Sequence, residues 1–380
     1  MERTQASRIL DQIHVPTLLL DERRARRNIA RMAEKCRRSG TQLRPHFKTH
    51  QSAAVGEWFR AEGVTTITAS SVRMAAYFAD HDWHDITVAF PVNWREIDAI
   101  NALAKRITLG LLVESLETAD FLREKLTNPV DIWIEVDSGT PRTGVLWSDT
   151  DQIAALVDRL RNHPLIRLRG LLSHNGSSYG SHGKAQLKSA WKQSIERLIG
   201  ARTALAERGI TGLKLSPGDT PSCNVVDDFS GLDEIRPGNF VYNDLMQVIN
   251  GSAAEADVAV AVACPVVSKH AERLQIVVYG GGVHLSKDNF VDQRGRTTYG
   301  AVAFPTADGW SESIPGAWVK SLSQEHGVIQ CDAETFNRVD IGDLLIVIPV
   351  HSCMTADLLK QAVTLAGETV DMLVLTPHDI

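Results

Sequence analysis

A basic segment near the N-terminus, Arg44-Pro45-His46-Phe47-Lys48-Thr49-His50, has the residue types and spacing of a nucleophilic centre. Side chains two residues apart on a strand share a face, so Arg44, His46 and Lys48 would point the same way. Their mutual repulsion favours a neutral Lys48 amine, which can form a Schiff base with an aldehyde cofactor. An exposed basic edge strand explains the same spacing, because runs of charge are usually solvated.

A second candidate pair lies near the other end of the chain, where His351 and Cys353 follow the apolar run 344–350. On an extended chain the two side chains point to one side, as two ligands of one ion would. Two protein ligands leave positions open for water and substrate, and imidazole with thiolate favours zinc or a similar transition metal. A buried cysteine beside a surface histidine is the alternative explanation.

Polar groups also follow two other predicted strands. Arg142 lies in the turn 135–144, from which it could reach the mouth of a barrel, although an ordinary surface salt bridge would explain it too. The Ser- and Gly-rich loop 174–179 holds His174 and Tyr179. The alternative interpretation is a flexible loop, in which Tyr179 packs without a functional role, since loops are generally mobile.

Two glycine-containing turns could bind a phosphate group. In the segment 216–222, Gly218 and Thr220 offer a tight turn, a hydroxyl and backbone N–H groups. Asp219 would repel a phosphate, so it could instead point away and cap a turn. The segment 236–242 supplies the second turn, and two such motifs after the last strands are a stronger signal than one.

A third glycine run, 280–282, resembles a phosphate loop at first sight. No amphipathic helix follows it and its neighbours are β-type runs, so a dinucleotide site is not expected there. We predict that the segment 279–288 is structural and lines the mouth of the site.

The elements that must position these groups alternate along the chain. Apolar runs predict strands, and the segments 22–38 and 186–208 have helical periodicity. About eight βα units in this stretch predict a parallel (β/α)8 barrel. The predicted strands are 17–21, 42–48, 65–71, 85–90, 107–113, 130–137, 166–174, 213–217 and 234–241.

The pattern changes near residue 257, where β-type runs separated by Gly- and Pro-containing turns predict an all-β domain. We place the barrel at 18–256 and the β domain at 257–380 together with 1–17. Within the second domain we predict a loop at 293–316. The strands expected there are 258–267, 274–279, 328–331, 343–349 and 372–375.

Composition limits the class of protein. The chain has 380 residues, 43% of them hydrophobic and 23% charged, so it can bury a sizeable core and is not a disordered chain. Its net charge of −6 argues against a general nucleic-acid binder. No apolar run is long enough for a transmembrane helix, and the polar N-terminus argues against a secretory signal. Five widely spaced cysteines do not suggest a disulfide framework, which favours a cytoplasmic protein.

Taken together, the motifs resemble those of fold-type III pyridoxal-phosphate enzymes, in particular the D-serine dehydratase and D-threonine aldolase-like family. The similarity extends over nearly the whole chain, from the Arg-Pro-His-Phe-Lys-Thr-His segment to the His-x-Cys pair. It implies an alanine racemase-type barrel with a C-terminal β domain. It also implies a homodimer whose active site lies between the barrel of one subunit and the β domain of the other.

The resemblance assigns a role to each motif. It implies that Lys48 binds pyridoxal phosphate and acts as the base, and that Arg142 faces the ring nitrogen and makes the ring a weaker electron sink. It implies a divalent ion (Zn, or Mn, Mg or Co) on His351 and Cys353. The remaining cofactor contacts that it implies are His46, His174, Tyr179, Gly218, Asp219, Thr220, Gly238, Asn239 and Tyr242.

The activity implied is elimination of water from a β-hydroxy D-amino acid, such as 3-hydroxyaspartate, D-serine or D-threonine. Lys48 would remove the α-proton while the ion stabilises the departing hydroxide. A D-threonine aldolase would use the same groups to cleave Cα–Cβ. An amino-acid racemase leaves His-x-Cys unexplained, and a non-catalytic pyridoxal-phosphate carrier leaves the second domain unexplained.

Overall fold

A computed structural model describes residues 4–292 and 295–374 of the chain. Two compact units are formed by these residues. The barrel unit contains residues 30–48 and 56–238, and the β unit contains residues 4–29, 49–55 and 239–374. No helix among the described residues is long and apolar enough to cross a membrane.

The helices of the described residues are α1 (Gln5–Leu10), α2 (Glu22–Ser39), α3 (Ala53–Ala61), α4 (Val72–Ala79), α5 (Ile97–Ala104), α6 (Leu116–Lys125), α7 (Thr150–Leu160), α8 (Lys184–Glu207), α9 (Thr220–Val225), α10 (Leu245–Ile249), α11 (Gly282–Leu285), α12 (Ala333–Arg338) and α13 (Ser352–Leu359).

The strands are β1 (Thr17–Leu20), β2 (Gln42–Leu43), β3 (Ile67–Ala69), β4 (Asp85–Pro91), β5 (Thr108–Val113), β6 (Val130–Asp137), β7 (Val145–Leu146), β8 (Ile166–Leu172), β9 (Lys214–Ser216), β10 (Glu234–Ile235), β11 (Val260–His270), β12 (Gln275–Tyr279), β13 (Phe290–Val291), β14 (Thr297–Thr298), β15 (Gly300–Ala303), β16 (Pro305–Thr306), β17 (Gly309–Trp310), β18 (Trp318–Leu322), β19 (His326–Gln330), β20 (Leu344–Pro349), β21 (Gln361–Thr364) and β22 (Thr369–Asp371).

The barrel unit is a closed ring of parallel strands. Strands β3, β4, β5, β6, β8 and β9 are hydrogen-bonded in that order, and β10 pairs in parallel with β2. A parallel bridge between His46 and Thr68 joins β2 to β3, and Arg236 N–H donates to Pro217 O beside β9 and β10. The predicted (β/α)8 fold class is therefore confirmed, and functional groups are expected at the carboxyl ends of these strands.

The helices around the ring follow from the sequence pattern. In α2 the apolar residues Ile29, Met32, Ala33 and Cys36 recur at helical spacing and are buried. Short polar side chains begin several other helices, as Ser71 does by accepting the Met74 N–H. Both predicted helices are confirmed with shifts of a few residues at their ends, as α2 and α8.

The β unit is built on one large, mainly antiparallel sheet, in the order β12-β19-β18-β15-β20-β11-β1-β21-β22. Its core includes Leu19, Val258, Ala261, Ile346 and Ile348, all fully buried. Strand β1, which the sequence suggests as a barrel strand, instead pairs antiparallel with β11 and parallel with β21. Its run of apolar residues suits burial on both faces, which either sheet would provide.

Several predicted strand bounds were wrong. The predicted strand 42–48 ends at Leu43 and turns into a short 3₁₀ helix at Phe47–Thr49, while 234–241 ends at Ile235. The segment 293–316, predicted as a loop, contains β14 to β17, although 293 and 294 lie outside the described residues. The predicted strand 372–375 is replaced by β22, and residue 375 also lies outside the described part.

Candidate active site

Lys48 lies just beyond the carboxyl end of β2, within the 3₁₀ helix, and its side chain is exposed. Its neighbour Phe47 is fully buried and anchors the turn. The Phe47 ring packs at centroid distances of 5.0, 4.9 and 5.0 Å against Phe59, Phe78 and Trp83. This aromatic cluster fixes the backbone of the turn, so Lys48 is held at the strand end where barrel enzymes carry functional groups.

Arg44 does not share the environment of Lys48, so that part of the sequence prediction was wrong. The Arg44 side chain is buried, and it donates from Nε to Glu234 at 2.8 Å and from Nη1 to Asp85 at 2.7 Å. Burial alone would lower the Arg44 pKa, but these two carboxylates raise it overall. The Arg44 charge is therefore neutralised by carboxylates from β10 and β4.

Two histidines accompany Lys48 in the barrel unit. His46 Nδ1 accepts the Lys48 backbone N–H at 3.4 Å, and His174 Nδ1 donates to Gly218 O at 3.0 Å. Burial and the charge of Lys48 lower the pKa of both, that of His174 to about 3. Arg142 and Arg236 lower these pKa values further, so both imidazoles are neutral in a cationic surrounding.

Arg142 is exposed on the loop after β6, and the loop is held by carboxylates. Asp137 Oδ1 accepts the Thr140 N–H at 2.7 Å, and Thr143 Oγ1 donates to Glu135 Oε1 at 2.8 Å. These contacts fix the backbone on both sides of Arg142. The charge of Arg142 contributes to lowering the pKa values of His46 and His174.

Hydrogen bonds join three loops at the ends of β6, β8 and β9. The Ser177 N–H donates to Thr140 Oγ1 at 3.0 Å, and Ser178 Oγ donates to Asp219 Oδ1 at 2.7 Å. Tyr179 lies on the same loop, with its ring centroid 6.1 Å from that of His174. The predicted residues on these loops thus belong to one connected group.

The two glycine turns also meet. The Gly238 N–H donates to Thr220 Oγ1 at 3.3 Å, and a Cβ atom on Gly218 would lie 2.5 Å from Arg236 N. Gly218 therefore permits a close approach that no other residue allows. The turns form a compact surface of hydroxyl and N–H groups at the carboxyl ends of β9 and β10.

Asp219 caps helix α9, which is the alternative that the sequence leaves open for it. Its Oδ1 accepts the Ser222 N–H at 2.7 Å, and burial raises the Asp219 pKa to about 6. Asp219 Oδ2 and Ser222 Oγ are buried and have no hydrogen-bond partner among the described residues. Such atoms usually indicate that a water or ligand is expected nearby.

The β unit brings His351 and Cys353 together by a different route from the one predicted. The chain is not extended there, because His351 is the N-cap of α13 and Cys353 lies in its first turn. His351 Nδ1 is 2.9 Å from Asp288 Oδ2. Burial alone would lower the His351 pKa, but Cys353, Asp244 and Asp288 raise it to about 9.

Cys353 Sγ has two polar neighbours within the β unit. It lies 3.2 Å from Thr49 Oγ1 and 3.5 Å from Asn239 Nδ2. Asn239 Nδ2 also donates to Asp244 Oδ2 at 2.6 Å, and the Ser352 N–H donates to the same oxygen at 3.0 Å. Asp244 thus supports both the cysteine and the start of α13.

Two of these residues, Asp244 and Asp288, are missed by the sequence analysis. Asp244 could have been found as the N-cap of α10, and Asp288 ends the glycine-rich segment interpreted as structural. Tyr242, predicted near a phosphate, is buried in the β unit, and its hydroxyl has no hydrogen-bond partner among the described residues. Within those residues no group of three His, Cys, Asp or Glu side chains is arranged to hold a metal ion.

Comparisons with known proteins follow the same division of the chain. Residues 20–245 match the family model "Alanine racemase, N-terminal domain", and residues 259–365 match "Putative serine dehydratase domain". The chain belongs to the alanine racemase N-terminal domain family. Its barrel and its C-terminal β domain are the architecture that these two domain models describe.

Relatives of this alanine racemase-like chain carry related names. D-threo-3-hydroxyaspartate dehydratase of Delftia sp. (strain HT23) is 30% identical over 90% of this chain and 92% of its own. D-serine dehydratase of Schizosaccharomyces pombe is 25% identical over 94% and 89%. The solved structure of the Delftia enzyme superimposes with a TM-score of 0.88 at 28% identity, covering 99% of this chain and 100% of that one.

Proposed function

We propose that this protein is a pyridoxal-phosphate- and divalent-metal-dependent dehydratase, an ammonia-lyase that eliminates water from a β-hydroxy D-amino acid. The observation that carries the proposal is the pair His351 and Cys353, together with the carboxylates of Asp288 and Asp244 that act on His351. A racemase has no use for such a pair, whereas a dehydratase needs a Lewis acid for a poor leaving group. The dehydratase names of the relatives support the same choice.

The barrel unit fits pyridoxal phosphate. Lys48 has an exposed side chain, and the Thr220 hydroxyl, which accepts the Gly238 N–H, keeps its own proton to donate to a phosphate. The buried, unsatisfied Ser222 Oγ is a further polar atom in this region. The cationic surrounding of His46 and His174 also suits an anionic cofactor.

The β unit fits a divalent ion. His351 and Cys353 would hold it through a ring nitrogen and Sγ, a donor set that suits zinc and also accommodates other transition metals. The carboxylates of Asp244 and Asp288 add negative charge around this pair. A solved structure of a D-threo-3-hydroxyaspartate dehydratase C353A mutant in the metal-free form supports metal binding in that relative.

Bound pyridoxal phosphate would supply an electron sink for charge at the substrate α-carbon, and the ion would supply a Lewis acid at the β-hydroxyl. Lys48 would take the α-proton as general base. The neutral His46 and His174 can accept or donate hydrogen bonds without adding charge beside that amine. Arg142 would face the ring nitrogen of the cofactor and make the ring a weaker electron sink, and Tyr179 would pack beside His174.

The preferred substrate in this proposal is D-threo-3-hydroxyaspartate, which would give oxaloacetate and ammonia. D-Serine and D-threonine have the same β-hydroxyl and would give their own keto acids. The cofactor-binding set comprises Lys48, His46, Arg142, His174, Tyr179, Gly218, Asp219, Thr220, Gly238, Asn239 and Tyr242.

We also propose that the protein is a homodimer, with the metal ion carried by the unit that contains the C-terminal residues. A reducing, cytoplasmic setting is part of the proposal. It is supported by the five cysteines, all of which lie in the described part of the chain, where no two of them form a disulfide.

The test is product identification with purified protein. D-Serine, D-threonine and the isomers of 3-hydroxyaspartate are incubated with and without divalent ions. Keto acid and ammonia that depend on the ion support the dehydratase. Glycine and an aldehyde would instead indicate the aldolase, a D-threonine aldolase of Arthrobacter sp. being 23% identical over 90% of this chain.

A further inference from the structure

The carboxylate of Asp288 is hydrogen-bonded to the proposed metal histidine. Its Oδ2 lies 2.9 Å from His351 Nδ1, within the β unit. A carboxylate can only accept, so Nδ1 carries a proton, and in the neutral ring that would bind a metal the lone pair is on Nε2. The contact therefore selects the nitrogen that would face an ion.

The segment that carries Asp288 is fixed in place. The Asp288 backbone N–H donates to Ser286 Oγ at 3.1 Å. Ser286 itself has a φ of 65°, a conformation that few non-glycine residues adopt. Thr355 Oγ1 lies 3.1 Å from Leu285 O and 3.2 Å from His351 O. The Thr355 hydroxyl therefore links the end of α11 to the N-cap residue of α13. This link holds the backbone segments that carry Asp288 and His351 next to each other.

We propose that Asp288 is a positioning residue of the metal site, which orients the His351 imidazole and strengthens Nε2 as a metal donor. Ligating histidines generally donate their second N–H to a carboxylate or carbonyl, and loss of that partner typically weakens metal binding 10–100-fold. The inference rests on the proposed function, because it assumes that His351 holds the ion. It gives a role to the glycine-rich segment 279–288, which has none in the proposed reaction.

Metal affinity of the full-length protein, loaded with pyridoxal phosphate and stripped of metal, tests this role. Zn²⁺ is titrated against a chromophoric chelator, so the readout does not depend on turnover. We expect Asp288→Asn to weaken Zn²⁺ binding about 10–100-fold. Asp288→Ala should weaken it at least as much, because asparagine keeps an acceptor for the Nδ1 proton and alanine does not.

Glu325→Gln is the matched control. Glu325 Oε2 lies 3.6 Å from His284 Nε2, a second histidine–carboxylate pair of the β unit that holds neither proposed ligand. Its Zn²⁺ affinity should equal that of the wild type. Thermal melting of the metal-free variants checks their folding, and a Co²⁺–thiolate absorption band checks that Cys353 still binds.

The outcomes separate the two proposals. If His351→Ala loses Zn²⁺ binding and a folded Asp288→Asn does not, Asp288 has no positioning role and this inference is overturned. If His351→Ala itself binds Zn²⁺ as tightly as the wild type, the metal site of the proposed function fails first. A parallel loss in Glu325→Gln would also overturn the inference, since any carboxylate would then have the same effect.

Discussion

The histidines of the two units have opposite electrostatic surroundings. In the barrel unit, burial and the charges of Lys48, Arg142 and Arg236 lower the pKa of His46 and His174. In the β unit, carboxylates and a thiol raise the pKa of His351 to about 9. The first surrounding favours an anion and the second a cation, which matches a phosphate-bearing cofactor in one unit and a metal ion in the other.

The largest loss of activity is expected from a substitution at the cationic site of the barrel unit. Lys48→Ala removes both the amine that would bind the cofactor and the general base, so activity should fall by about 10²–10⁴-fold or more. The visible absorbance of the bound cofactor should disappear, as measured on purified protein. Lys188→Ala, at another lysine outside the site, is the control. Retained colour through a stable linkage would refute the role of Lys48.

Removal of the metal ion tests the proposed site of the β unit, where carboxylates and a thiol surround His351. Chelation, or Cys353→Ser, should abolish elimination while the absorbance of the cofactor on Lys48 persists, because the two groups are held by different residues. Activity and absorbance are measured on the same sample, and added Zn²⁺ should restore the chelated wild type. Full activity after complete metal removal would show that His351 and Cys353 do not serve the reaction.

The buried carboxylate that pairs with Arg44 is expected to matter for stability. Glu234 accepts from Arg44 Nε at 2.8 Å, and both side chains are buried. Glu234→Gln removes one of the two carboxylates that neutralise Arg44, and Asp85 remains. The free energy of unfolding should therefore fall, by less than the about 3–5 kcal/mol typical of a buried charge with no partner. Urea denaturation measures this, with Glu57→Gln as a control.

Glu57 pairs with Arg60 at the surface, where removal of an ion pair typically costs about 0–1 kcal/mol. An equal loss in the two variants would contradict the idea that the barrel depends on this buried pair.

The smallest effect concerns pH. His174 has a folded-state pKa of about 3 against 6.5 ordinarily, so between these values the unfolded chain binds more protons. Stability should therefore fall as the pH drops from 6.5 towards 3, and this histidine adds no pH dependence above 6.5. A single titrating proton changes stability by at most about 1.4 kcal/mol per pH unit, and solvent screening of the half-buried side chain makes the slope smaller.

His174→Gln should flatten this dependence in cofactor-free protein, as followed by urea midpoints at several pH values. Glutamine retains a donor for Gly218 O, so the loop contact itself is preserved. An unchanged pH profile would mean that His174 is not held neutral.

Local patterns predict much of this molecule. The periodicity of α2 and the apolar run of β6 are enough to place both elements, because short-range spacing determines which face is buried. The His-x-Cys spacing identifies a pair that the fold does bring together. For Asp219 the sequence allows a place beside a phosphate or a cap on a turn, and its position before α9 is a typical N-cap signal.

Long-range pairing explains what could not be predicted. Arg44 seemed part of a cationic face because its partner Glu234 is 190 residues away in sequence. Asp288 is separated from His351 by 63 residues, and no local pattern marks the contact. Strand β1 has the same apolar character as a barrel strand, and only its pairing with β11 shows where it belongs.

The seam between β2 and β10 has a consequence for biosynthesis. Gln42 and Leu43 pair with Glu234 and Ile235, so a growing polypeptide cannot seal the ring until nearly two hundred further amino acids have left the ribosome. Until then the open edges of the half-built cylinder are available to other chains. Contacts that are so distant in sequence form slowly, so we expect this step to govern the refolding rate and the tendency to aggregate during expression.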